Sequence, residues 1–525
     1  MEENKPYTDN TENVNTENVY TDNARAETVH TQNMKKLYPF FCISCITYAL
    51  FYTFCLYKNP SGITYPLFMG GTLFFFFFSI KKLGFSYKKD SIIYIIFILL
   101  LGISNCLTAS PQLLFMNKTV TFWLCFILML HTVYSDKDWN FTKYFLAVFE
   151  TLAYCITCLF RPFTDISSYN STKKQDDSVK KSYMAPVVLG IAITIPLMLI
   201  ITSLLASADV VFGNMIENIL FSFDLFNILN IIRIGVTVFI CSYAVLATLS
   251  LKTVYEQTES KNNCEPVTAI IITGALSFIY LIFSSIQIVY LFLGNMQLPS
   301  DYTYAEYARE GFFQLLVVCI LNLVLVLICL HLFRESKILK AILTIISLCT
   351  YIMIASSAFR MIMYIGAYKL TFLRIFVLWA LSVISLLMAG ITAHIYFKKF
   401  PLFTYSLIVV TVLYTALSYA HPDYLIAEYN LKQANKEYNT DSGRSYDSGL
   451  NYLSTLSSDA APVILNADKN PCLSSISDFN NEDENNFQEN IWVRKYYNKV
   501  SEQVKKVHIR NFNFSLYRAG EYISR

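Results

Sequence analysis

Charge is what this chain has least of: 15% of its residues are Asp, Glu, Lys or Arg, against 54% hydrophobic. Soluble domains carry about 25% charged residues, so the scarcity excludes a water-facing fold for most of the chain. The charges nearly cancel, with 41 Lys and Arg against 38 Asp and Glu. There is thus no basic surplus to attract nucleic acid. No GxSxG, HExxH, Walker A or GxGxxG pattern occurs in a usable context, and no motif names a reaction, a metal or a cofactor. No cleavable leader is visible either, because polar Met1–Lys36 precedes the first apolar run. A disulfide framework is not expected, since of 13 cysteines only Cys264 and Cys472 fall clearly outside apolar segments. Cys42-Ile43-Ser44-Cys45 and Cys155-Ile156-Thr157-Cys158 have redox or metal-like spacing but lie in apolar runs, where cysteine packs as a small hydrophobe.

What is present is a succession of apolar runs of helical length. The candidate spans are 37–57, 63–80, 91–109, 113–134, 184–205, 226–251, 267–293, 311–333, 341–364, 372–396 and 402–420. A helix needs about 20 apolar residues to cross the hydrocarbon core, so an all-α polytopic membrane protein with about eleven crossings is expected. Met1–Lys36, rich in Asn, Thr and Glu, reads as a disordered tail. Residues 421–525 turn polar while keeping enough aromatics to form a small α-rich domain. Gly70-Gly71 within the second span reads as a helix-packing point. The Asn117-Lys118-Thr119 and Asn140-Phe141-Thr142 triplets match a glycosylation acceptor pattern that is frequent by chance.

Tyr144–Phe160 is apolar but short, carries Glu150 and runs into Arg161-Pro162. If it does not cross, almost all loop lysines and arginines, from Lys35 and Lys36 to Lys398 and Lys399, collect on one side. If it crosses, the basic residues from Arg161 to Lys181 move to the other side and every later loop inverts against its charge. The positive-inside rule therefore favours an interfacial helix at 144–160, a cytoplasmic N-terminus and an extracytoplasmic 421–525 domain. The Asn, Lys, Ile, Tyr and Phe bias suggests an AT-rich bacterial source, and hence a plasma membrane.

On that topology the ionisable groups near helices gather in the outer leaflet. Glu306, Arg309 and Glu310 stand at the entrance of span 311–333, Arg233 two turns into its own span, and Arg360 and Arg374 near the outer ends of theirs. Charge in such places is costly unless partnered, so these six residues are the candidate polar cluster. Long arginine stems can also snorkel, or pair as structural staples. His131, His331 and His394 lie near inner helix ends without an acid or nucleophile at a readable spacing, so structural roles are expected for them rather than metal binding.

The segments Tyr307-Ala308-Arg309-Glu310-Gly311-Phe312-Phe313, Arg360–Ile365 and Tyr368–Arg374 resemble an uncharacterised bacterial multi-pass family, the domain of unknown function 4153/4173. The likeness continues through His421-Pro422-Asp423, Ile426–Asn430, Tyr452–Ser454, Asp459–Pro462, Phe512-Asn513 and Tyr517–Ala519. It covers most of the chain after Met184, and Lys369 departs from a glycine expected in a tight turn between Tyr364 and Leu370. The resemblance implies a membrane protein and supplies no chemistry.

Three function classes fit: an envelope-facing scaffold or sensor, a transporter or lipid-handling protein using the charged cluster as a cavity, and an enzyme with Glu306 or Glu310 as general base. No inverted repeat or midplane site marks a transporter, and a carboxylate–arginine cluster is common as structure. The scaffold or sensor is therefore the favoured reading. Its expected partners are the bilayer and an envelope-derived small molecule or lipid, with no cofactor.

Overall fold

The computed structural model describes residues 29–176, 225–254, 264–289, 311–440, 448–466 and 491–524, apart from 60, 137, 138 and 140, with scattered positions between 194 and 215. A short helix, α1 (Val29–Lys36), leads into two antiparallel hairpins, α2 (Tyr38–Leu56) with α3 (Thr64–Leu83) and α4 (Ser91–Leu107) with α5 (Pro111–Val133). After α6 (Phe141–Thr157) and α7 (Arg161–Asp176) come α8 (Leu225–Leu251), α9 (Pro266–Gln287), α10 (Phe312–Leu332), α11 (Lys337–Tyr368), α12 (Phe372–Tyr396) and α13 (Leu402–Tyr419). The chain finishes with α14 (Pro422–Thr440), α15 (Ile491–Lys505) and α16 (Phe514–Ile523).

The expected all-α polytopic fold is what forms. Among the described residues ten helices are long and apolar enough to cross a membrane, and α4 is apolar but one step shorter. Local sequence sets many of their ends. Pro111 and Pro266 open α5 and α9 at positions where a missing N–H costs nothing. Gly84 closes α3 in the left-handed conformation. Phe74, Phe115, Ile271 and Phe278 are exposed on the bundle surface; such apolar area is a liability in water and a lipid contact in a bilayer.

Between α2–α8 and α13 the core is aromatic-rich, with Phe41, Phe68, Tyr94, Tyr243 and Tyr414 buried together. Some of the buried polar groups there satisfy one another. The Asn117 amide oxygen accepts from Tyr414 (2.6 Å) and Ser418 (2.8 Å), and Ser418 meets Ser104 at 2.6 Å. Asn117 is wholly buried, which removes it as a glycosylation acceptor; Asn140 lies outside the described residues. An added Cβ at Gly71 would collide with the Phe51 ring, so this glycine is a helix-packing point as expected, whereas Gly70 faces open space. Every described cysteine is a free thiol.

The sequence-based spans hold within a few residues, with two differences. The ninth run extends from Lys337 to Tyr368 instead of from Ala341 to Tyr364; Gly366 and Ala367 do not interrupt a helix that is by then about eight turns long. The fifth span, 184–205, lies almost wholly outside the described residues, as do residues 467–490 and, of the tail 1–36, residues 1–28. Residues 29–36 are not disordered as expected but form α1, with Thr31 and Met34 buried. Phe141–Tyr169 is long enough to count as a candidate span. Its Tyr144 stacks on Phe403 beside the start of α13 (3.8 Å), and its Tyr169 packs on Tyr38 at the start of α2 (6.1 Å). Both helix starts belong to the end of the bundle that carries Lys81, Lys82, Lys88, Lys89, Lys337, Lys398 and Lys399, called here the basic end.

Candidate functional site

At the opposite end of the bundle the structure brings some of the six candidate residues together and separates others. Glu306, Arg309 and Glu310 lie outside the described residues. Arg233 is exposed on α8, which packs against α2, and among the described residues no polar contact joins it to Arg360 or Arg374. Arg360 is buried, and its guanidinium donates to the Gln287 amide oxygen (3.4 Å), which also accepts from Ser356 (2.7 Å). The guanidinium also packs over Gly311, where a Cβ would come within 3.0 Å of Nη1 and the backbone takes φ +94°. Only glycine satisfies both demands without strain.

Arg374 does a different job. Its guanidinium donates to the carbonyls of Tyr368 (2.6 Å) and Lys369 at the end of α11, and lies 4.3 Å over the Tyr364 ring. It is a cation on a helix C-terminus, satisfying carbonyls that the helix leaves open. Arg360 and Arg374 thus flank one aromatic patch, in which Phe312 and Tyr364 are 6.2 Å apart. The turn between them forms despite the lysine. Lys369 sits at φ +67°, ψ 175°, a region essentially reserved for glycine that costs other residues about 1–3 kcal/mol. Lys369→Gly is therefore expected to stabilise the protein by about 1 kcal/mol, once the extra chain entropy of glycine is set against the relieved strain. A lower melting temperature for this variant in detergent would contradict that account.

A second constellation, which sequence reasoning missed, fastens the C-terminal unit to this same end. Asp459 is buried, and its carboxylate accepts from the Thr108 hydroxyl (2.5 Å), the Ala109 N–H (2.8 Å) and the Ser515 hydroxyl (2.5 Å). Asn513 donates to the Thr108 carbonyl (2.8 Å), and the Ile63 N–H donates to the Phe512 carbonyl (2.8 Å). The Arg510 carbonyl accepts from Asn59 (3.0 Å), while its guanidinium caps Tyr57. Gly62, at φ +132°, lets the Asn511 backbone approach so closely that a Cβ would overlap it. The loop after α11 is held as well, by a reciprocal pair between Asn430 and the Leu370 N–H (2.7 Å) and carbonyl (2.9 Å). Within the unit, burial pushes the Asp423 carboxyl above its ordinary range and the neighbouring Asp459 carboxylate adds to the shift, although Ser457 hydrogen bonds oppose it. Burial likewise pushes the Tyr496 hydroxyl, which donates to the Ser457 carbonyl (2.7 Å), well up.

The third constellation lies at the basic end. Asp136 accepts from His131 Nδ1 (2.5 Å), Lys88 Nζ (3.0 Å) and the Tyr144 hydroxyl. Burial by itself would push the Asp136 carboxyl up; the hydrogen bonds from His131 and Tyr144, the His131 charge and the Lys88 bond outweigh it and hold the carboxyl at about 2. His131 therefore does have an acid partner, five residues on and across a helix end. His131 and Asp136 line a cavity of about 800 Å³ between α4, α5 and α13, with His394, Lys398 and Lys399 at its rim. No group of three metal-ligating side chains occurs among the described residues.

The profile of a family defined by a Domain of unknown function (DUF4153) matches residues 95–467, most of the chain. The chain belongs to this family. The DUF4153 match begins inside α4, well before Met184, where the likeness seemed to start. It ends before Phe512-Asn513 and Tyr517–Ala519. Of the clamp, Thr108, Ala109 and Asp459 fall within the DUF4153 region, whereas Asn513 and Ser515 lie beyond it. No curated protein and no solved structure matches the chain.

Proposed function

We propose that this multi-pass membrane protein is an envelope-facing scaffold or sensor, whose C-terminal unit is held rigidly on the outer end of the bundle. The observation that carries this reading is the clamp. Asp459, Asn513, Arg510 and Asn430 tie the unit to three separate interhelical loops. A binding event or a load on the unit is thereby coupled to several helices at once. A unit that merely hung from α13 would couple to none. The transporter alternative has less support, because Arg374 is engaged as a helix cap and Arg233 stands apart on α8.

The reading includes an orientation, with the basic end in the cytoplasm, the unit outside a plasma membrane, and Phe141–Tyr169 lying along the inner surface. The positive-inside asymmetry supports the first two. The contacts of Tyr144 and Tyr169 with helix starts on one end support the third. Single-cysteine variants at exposed Lys89 and Lys506, made without the native thiols, test it in intact cells with a membrane-impermeant maleimide. Labelling is expected at position 506 and, before permeabilisation, none at 89. The reverse pattern would put the unit in the cytosol and end the envelope-facing reading.

A further inference from the structure

The cavity at the basic end has the shape and chemistry of a site for a single amphiphile. Its volume of about 800 Å³ lies within the range of small-molecule pockets, roughly 300–1,000 Å³. The walls toward the bundle interior are apolar: Ile93 and Phe97 of α4, Leu124 of α5, and Leu407 and Ile408 of α13. Towards the basic end the lining changes to His131, Asp136, His394, Lys398 and Lys399, with Asp90 beside them. Apolar depth beneath a cationic rim is the pattern of a lipid with its headgroup at the interface.

The individual polar groups narrow the headgroup. Lys88 is engaged by Asp136, and Lys398 shares Glu335 with Lys340. Lys399 is exposed at the rim and makes no ion pair with any described residue. It is the cation available to an anionic group, and it outweighs the exposed Asp90 only where the anion sits on the α13 side. His131 is buried, with Nδ1 taken by Asp136 and Nε2 shielded from the cavity, so it fixes the Asp136 wall and contacts no ligand itself. A ligand completing this site brings an anion for Lys399 and a hydrocarbon chain for the apolar walls.

We propose that this cavity binds one anionic phospholipid from the leaflet at the basic end. The phosphate lies at Lys399, and an acyl chain runs between Phe97 and Leu407. This site is independent of the scaffold reading, since it needs only that the bundle sits in a bilayer.

The test uses the full-length protein in detergent, with binding read by native mass spectrometry and by the shift in melting temperature. Four probes are compared: phosphatidylglycerol, zwitterionic phosphatidylcholine, phosphatidylethanol (an anionic phosphodiester without headgroup hydroxyls), and soluble glycerol phosphate. Binding of phosphatidylglycerol is expected to match that of phosphatidylethanol and to exceed that of phosphatidylcholine. Lys399→Gln, an exposed change that leaves the fold intact, is expected to weaken phosphatidylglycerol binding about fivefold, in line with one basic residue near an anionic headgroup. Equal binding of phosphatidylcholine, or an unchanged affinity in Lys399→Gln, would overturn the site. Much weaker binding of phosphatidylethanol than of phosphatidylglycerol would mean that headgroup hydroxyls and not the phosphate at Lys399 hold the lipid, and would overturn the site. Full competition by glycerol phosphate would make the ligand a soluble phosphate and overturn the lipid.

Discussion

Asp459→Ala is expected to release the C-terminal unit from the bundle and to cost about 3–4 kcal/mol. The carboxylate receives three short hydrogen bonds in a buried place, two of them from the loop between α4 and α5, and a longer one from His421 Nδ1 (3.5 Å). Bonds to a charged acceptor contribute about 1.5–3 kcal/mol each, and the sum is less than additive because they share one carboxylate. Alanine leaves the Ala109 N–H and the Thr108 hydroxyl buried with nothing to donate to, while Ser515 keeps only Ser458, and an orphaned backbone donor is a cost in its own right. Two measurements separate local release from general unfolding. Limited proteolysis should cut α15 and α16 faster in the variant, while the bundle helices stay protected in the detergent micelle. Asn in place of Ala keeps one acceptor oxygen and should recover part of the loss. Unchanged proteolysis of α15 and α16 in Asp459→Ala would mean that the packing of Trp492, Val493 and Tyr496 holds the unit without the clamp.

The second large effect is at the basic end. Asp136→Ala is expected to destabilise by about 2–4 kcal/mol, since Lys88, His131 and Tyr144 lose a common acceptor at a nearly buried site. The pH dependence follows from the carboxyl held at about 2 against an ordinary 3.8. A carboxyl depressed in the folded state stabilises the fold above its unfolded value and loses that contribution as pH falls through its folded one. Between about pH 4 and pH 2 the wild type should therefore lose about 2 kcal/mol from this group. The Asp136→Ala variant should lack that component, and parallel acid-melting curves for the two proteins would refute it. Asp423 behaves in the opposite sense. Burial raises its carboxyl, so its contribution is present at low pH and declines as pH rises above the ordinary carboxylate range.

The bundle was legible in the sequence because a membrane span is a local signal. The run at 372–396 coincides with α12, and most other boundaries differ only by the turn or so that caps and polar loops leave undetermined. The sites were not legible to the same degree. Asp459 and Thr108 are 351 positions apart, and neither residue type is unusual in a loop, so nothing in the linear chain pairs them. Arg360 was found because a buried cation in an apolar run stands out, but Arg374, equally conspicuous, proved to cap its neighbouring helix. His131 and Asp136 are five residues apart, a readable spacing. They were passed over because the helix end between them hides the contact from a periodicity argument.

The attachment of Asn59 and Thr64 to the Arg510 carbonyl joins the first hairpin to residues made about 450 positions later. Closing so long a loop adds little equilibrium cost, since the entropy grows only with the logarithm of length. The consequence lies in the order of assembly. The α2–α3 and α4–α5 hairpins are synthesised early, and the backbone groups that will bind Phe512 and Asn513 must wait, solvated, while helices α6 to α15 are made. The clamp is therefore a final latch. It closes only after the chain has been made through α16, so a molecule interrupted before then keeps the α2–α3 and α4–α5 loops without these partners.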